Sequence, residues 1–242
     1  MRKEIIQLNH GTGRIKLHLC DGLSLRFDDQ PVLFNWADHR GSIGQYLVRS
    51  VPVEKYQAVL ETIHTLVAGQ DTNLSLEHSL QGVLNLFESG QYVLQEMVVD
   101  DYLEIVDFSA SQDITKSYAS FYPYRYVLVC TQPQEYLNVA QVADYKTKIL
   151  NGERPLLLTT GLYRERDVLY VLDGHHKLQA YRELNIQPHL IAILSVTSKF
   201  ISYSEDDVFG QAQALRDHYL KHKSTDFTKM GDCFLPLPVG IC

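Results

Sequence analysis

Residues 168–184 constrain this chain more than any other stretch. An apolar run, Val168-Leu-Tyr-Val-Leu172, ends in Asp173, reaches Gly174 and continues as His175-His176-Lys177. The run is β-prone and reads as a buried strand. From Leu178 the apolar positions change to helical spacing, with Ala180, Tyr181 and Leu184 following. A chain that passes from strand to helix within two residues needs a sharp turn, and Gly174, lacking a Cβ, supplies it. A helix starting there directs unpaired N–H groups and the positive end of its dipole at whatever fills the turn. With Lys177 cationic and Asp173 able to hold a metal, the junction suits a phosphate or a nucleotide tail. The plainer alternative has Asp173 capping the helix and the histidines satisfying loop carbonyls.

Flanking segments fall into an ordered series. Tyr126 to Thr131 reads as a strand followed by Gln132-Pro-Gln-Glu135, and a helix is expected from about Val139 to Leu150, closing on Asn151-Gly-Glu-Arg154-Pro155. Leu156 to Thr160 and His189 to Leu194 read as further strands on either side of the junction. Asp173-Gly-His-His-Lys177 resembles the Asp-Gly-His-His-Arg signature of the ParB/sulfiredoxin-like fold, with Lys in the place of Arg, over roughly residues 120–196. That resemblance implies an α+β protein with an α/β core: a small mixed sheet with flanking helices.

The resemblance also implies roles. A terminal phosphate of ATP or ADP would rest on Gly174, His175, His176 and Lys177, and Asp173 would hold Mg²⁺ and take part in catalysis. Members of this fold that phosphorylate free serine use an acid after the first strand as general base, which maps to Glu135. Arg154 is a weaker candidate that either ends a helix or reaches a phosphate. Sulfiredoxin chemistry needs a cysteine in the turn, where this chain has His175. The CTP-holding turn of the partition proteins is Gly-Glu-Arg-Arg-like, and Gly174-His-His-Lys177 departs from it.

Composition narrows the partners. With 45% hydrophobic and 21% charged residues the chain is an ordinary globular sequence. Net charge is −7 with no basic tail, which disfavours a protein held on DNA by a broad electrostatic face. No long apolar segment suggests a secretory signal or a membrane span. Cys20, Cys130, Cys233 and Cys242 lie far apart, as reduced cytoplasmic thiols do.

Two regions are expected, 1–110 as an accessory α+β part and 120–242 as the signature domain with its C-terminal helix and tail. Arg14 to Cys20 and Leu23 to Phe27 alternate about Asp21-Gly22, a hairpin signal, and a third strand follows at Val32 to Trp36. Helices are expected from Pro52 to about Ala68 and from an N-cap at Ser75 to about Glu88. Tyr92 to Val99 and Tyr102 to Phe108 read as strands about Asp100-Asp101, and 109–120 as a linker. Ser204-Glu-Asp-Asp207 opens a helix to about Lys221. His218 and His222, four apart beside Asp217, make a faint metal pattern without a third ligand, and Lys223-Ser-Thr225 is a weak cleft-lining candidate. The expected function is a nucleotide-dependent phosphotransferase acting on a small hydroxyl-bearing substrate. Its rivals are a nucleotide-sensing or DNA-associated accessory protein and, disfavoured by the net charge and the missing multi-helix reading domain, a nuclease.

Overall fold

Alternation of apolar and polar residues builds the first hairpin, and the rest of the fold grows around a larger sheet. The computed structural model describes residues 1–20, 22–28, 30–37, 45–49, 53–68, 74–99, 103–107, 118–121, 126–163, 168–196 and 199–200. In chain order the elements are β1 (Lys3–Leu8), β2 (Ile15–Cys20), β3 (Gly22–Phe27), β4 (Gln30–Ala37), β5 (Gln45–Arg49), α1 (Gln57–Ala68), α2 (Leu76–Leu84), β6 (Gly90–Val98) and β7 (Leu103–Val106). There follow β8 (Tyr118–Phe121), β9 (Tyr126–Cys130), α3 (Val139–Leu150), β10 (Leu157–Leu162), β11 (Val168–Asp173), α4 (His175–Leu184), β12 (His189–Ser195) and β13 (Lys199–Phe200). The protein is therefore α+β, as expected. No helix among the described residues is long and apolar enough to cross a membrane.

A seven-stranded mixed sheet has the order β1-β6-β12-β10-β11-β9-β7. A second sheet of six strands runs β13-β2-β3-β4-β5-β8. Strands from both sides of residues 110–120 share each sheet: β1, β6 and β7 complete the one that holds β9–β12, and β13 pairs with β2 in the other. The linker region itself contributes β8, which pairs with β5, a strand the sequence reading did not anticipate. β6 and β7 do not form a hairpin about residues 100–101. β6 lies between β1 and β12, whereas β7 joins the far edge, parallel to β9.

The central strands are buried on both faces. Every residue of β10 and β11 is buried, so their period-2 alternation divides two apolar sets rather than an inside from an outside. Leu158, Tyr170 and Leu172 join Tyr56, Val59 and Ile63 and the apolar residues of β2–β4 in one cluster. Leu157, Leu169 and Val171 face the other way, with Leu178 of α4. α3 then covers α4 through Val142, Ile149, Ala180 and Tyr181. Asp173, the one charged residue on β10 and β11, is itself buried and sits at the end of β11.

α2 ends earlier than the sequence pattern suggests. Ser75 caps it by accepting the His78 N–H. After Leu84, however, Leu86 and Phe87 turn into the core. Their carbonyls accept the N–H groups of Ile15 and Gly13, at 2.8 and 3.0 Å. Tertiary pairing with β2 thus takes the residues that would have continued the helix. The expected C-terminal helix, His218, His222, Asp217 and residues 223–225 lie outside the described residues.

Candidate functional site

Parallel pairing of β9 and β11 delivers the ends of both strands to one edge of the sheet. The turn into α4 and the loop of residues 131–138 therefore meet there. Gly174 is the N-cap of α4, left-handed at φ 99° and ψ 25° and without a side chain to cap the helix. A Cβ at this position would lie 2.7 Å from Leu157 Cδ2. The tip of Leu157 can shift, but the positive φ remains. Gly174→Ala should cost about 1–3 kcal/mol, the range for a non-glycine residue held in such a conformation. Urea denaturation checks this, and a loss below about 0.5 kcal/mol, the size of an indifferent surface substitution, would remove the argument. The first intrahelical bond runs from Leu178 N–H to Gly174 O at 2.8 Å. The N–H groups of His175, His176 and Lys177 stand ahead of it with no acceptor in the helix.

Asp173 is 6% exposed and both its oxygens are engaged. Oδ2 accepts from Lys177 Nζ at 3.0 Å, and Oδ1 lies 2.8 Å from His64 Nδ1. Burial pushes the Asp173 carboxyl up, but the Lys177 charge and the His64 and Lys177 hydrogen bonds outweigh it and hold the group below the usual carboxylate range. The metal role expected of Asp173 would require one of these partners to leave. Among the described residues no group of three or more His, Cys, Asp or Glu could hold a metal ion. Lys177 is also committed. Its ammonium donates to Leu156 O at 3.0 Å and stands 6.0 Å from the Tyr145 ring centre, so it neutralises Asp173 before any phosphate.

The two signature histidines are acceptors. His175 Nε2 takes the N–H groups of Thr131 and Gln132, each at 3.2 Å. Thr131 Oγ1 gives its own proton to Val171 O at 2.6 Å. An Nε2 that accepts leaves the proton on Nδ1, so the ring is neutral. Burial, against the smaller pull of Asp173, lowers His175 to about 4. His176 Nε2 accepts the Asn138 N–H at 2.9 Å, and burial, with a smaller contribution from nearby His64, lowers it as well. Together they pin both ends of the loop 131–138. Each Nε2 thus already holds a backbone N–H.

Glu135 is exposed on the 3₁₀ turn Gln134–Tyr136, inside that pinned loop. Its neighbours fasten the turn: Gln134 donates to Asp107 and Tyr136 to Glu54. Arg154 acts at the end of α3, where Nη1 donates to the carbonyls of Ile149 and Glu153 at 3.1 and 2.8 Å. The fold thus gathers Asp173, Gly174, His175, His176, Lys177 and the Glu135 loop at one edge. The Arg154 guanidinium is engaged by its own helix.

His64 and Tyr56 escaped the sequence reading. Tyr56 donates to Thr131 O at 2.6 Å and ties the start of α1 to the site. His64 reaches Asp173 across 109 positions of sequence. Its local signal was slight, a histidine bordering the apolar face formed by Leu60, Ile63 and Val67.

No family model matches this chain, and no curated protein matches it. Among solved structures, protein Atu1540 from Agrobacterium tumefaciens is similar over 52% of this chain and 48% of its own, about half its length. Identity over the match is 12% and the TM-score 0.22, too low to carry an argument about fold or function.

Proposed function

We propose that the chain binds ATP or ADP at the β11–α4 turn and transfers a phosphoryl group to a small hydroxyl-bearing substrate. The observation that carries this reading is the N-terminus of α4, opened by a glycine and left without a side-chain cap beside a buried, charge-paired carboxylate. Backbone N–H groups of His175, His176 and Lys177 suit a terminal phosphate. The loop bearing Glu135 borders the same edge and offers an exposed acid to the acceptor. Mg²⁺ arriving on the nucleotide would supply charge neutralisation there. The spacing of the cysteines and the buried free thiol of Cys130 support a cytoplasmic setting.

Titration of the ¹⁵N-labelled protein with ATP, ADP and CTP, with and without Mg²⁺, tests the reading. The amides of residues 174–177 should shift most, with parallel heat in calorimetry. Absence of binding, or shifts confined to another face, overturns it. A nucleotide sensor without turnover is the second reading, favoured by the commitment of both Asp173 oxygens and of Lys177. Binding with no transfer to amino acids, sugars or nucleosides would select it.

A further inference from the structure

His64 is the one exposed imidazole among the described residues that is hydrogen-bonded to a buried carboxylate. Its ring is 69% exposed while Asp173 is 6% exposed. Two features fix its geometry. Ile63, fully buried, and partly buried Leu60 and Val67 hold α1 against the core, so the Cα of His64 is set by packing. Asp173 is in turn fixed through Oδ2 by Lys177.

Chemistry then chooses the tautomer. An ionised carboxylate only accepts, so His64 Nδ1 must carry the proton in the 2.8 Å contact. In the neutral ring Nε2 is then the basic atom, and it has no partner among the described residues. The ring also lies beside the signature turn, since its partner Asp173 directly precedes Gly174, the N-cap of α4.

We propose that His64 is the general base of this site, with Asp173 as its positioning residue, and that the substrate it serves is an alcohol. This rests on the phosphotransferase reading. His64 Nε2 takes the proton of the substrate hydroxyl as that oxygen forms its bond to the γ-phosphorus of ATP. The bond from phosphorus to the bridging oxygen breaks, and ADP leaves with the electron pair. The products are the phosphate monoester, ADP and a proton, which His64 returns to solvent. Orientation of an imidazole by a buried carboxylate, with the far nitrogen turned to the reactants, is how a weak neutral base is held in productive tautomer and direction. Glu135, on an exposed turn, then binds the acceptor rather than receiving its proton.

His64→Asn tests this, because the asparagine amide retains a donor for Asp173 while removing the base. Three readouts separate the outcomes. Long-range ¹⁵N–¹H spectra of the wild type should show the neutral Nδ1–H tautomer of His64; an Nε2–H tautomer overturns the assignment whatever the activity. Affinity for a non-hydrolysable ATP analogue should be unchanged in His64→Asn. Against a panel of serine, glycerol, sugars and nucleosides, kcat should fall about 10²-fold or more in His64→Asn, the range for loss of a general base, with KM for ATP little altered. Glu135→Gln should instead raise KM for the acceptor. Normal turnover in His64→Asn, or nucleotide binding by the wild type with no transfer to any alcohol, overturns the proposal. Failure of the wild type to bind nucleotide would refute the phosphotransferase reading itself, while the tautomer still judges the His64–Asp173 pair.

Discussion

Asp173→Ala should cost the fold about 3–5 kcal/mol, the range for removing one partner from a buried ion pair. The size comes from what is left behind. Lys177 is 14% exposed, and without Asp173 its ammonium retains only the Leu156 carbonyl as a hydrogen-bond acceptor. His64 loses its acceptor too, but at 69% exposure water replaces it at small cost. Most of the penalty therefore belongs to Lys177. It follows that Asp173→Leu combined with Lys177→Met should be much less destabilised than either single variant, since apolar residues of similar size can replace a buried pair with little loss. Urea denaturation of the two singles and the double provides the cycle. A loss below about 1 kcal/mol for Asp173→Ala, typical of surface pairs, would show that the pair is hydrated and that the turn is not assembled around it.

Stability should also fall as the protein is acidified from neutral pH, through His175. In the fold its pKa is lowered to about 4 by burial, from an ordinary value of 6.5. The unfolded chain therefore takes up a proton at a pH where the folded chain does not. This contribution is fully present above pH 6.5, is lost as pH falls between about 6.5 and 4, and falls no further once both states are protonated. Between pH 7 and 5 the loss amounts to about 2 kcal/mol. His176 and His18 are lowered in the same sense by burial and add to it. His175→Leu should be less stable at pH 7 by about 1–3 kcal/mol, because the Thr131 and Gln132 N–H groups lose their acceptor, yet its loss on acidification should be smaller. Equal pH slopes in the two proteins would contradict the assignment. So would an imidazole ¹H titration of wild-type His175 near its ordinary value, a measurement that does not depend on the variant folding.

Local chemistry was legible in the sequence. The strand, glycine turn and helix at residues 168–184 are present, with α4 running His175–Leu184. Helix α3, the hairpin of β2 and β3 and the Ser75 cap follow from period, turn chemistry and capping, all encoded within a few residues. Long-range pairing was not. That β6 would lie between β1 and β12, that β7 would take the far edge, and that β13 would pair with β2 depend on contacts whose partners lie tens of residues apart. Residues 118–121 became β8 because β5 presented an edge to them.

The same division runs through the site. By itself the sequence determined that a carboxylate, a glycine, two imidazoles and an ammonium would stand at a strand–helix turn, because their spacing is local. Only the tertiary structure decided what each group does there. Parallel β9 brings the N–H groups of Thr131 and Gln132 to His175 and so makes it a buried acceptor. Strand β10 places Leu156 O where Lys177 can reach it. Helix α1, more than a hundred residues upstream, lays His64 on Asp173. Residue type sets which atoms can donate, accept or carry charge, but burial and partners choose among those roles, and both are properties of the assembled fold.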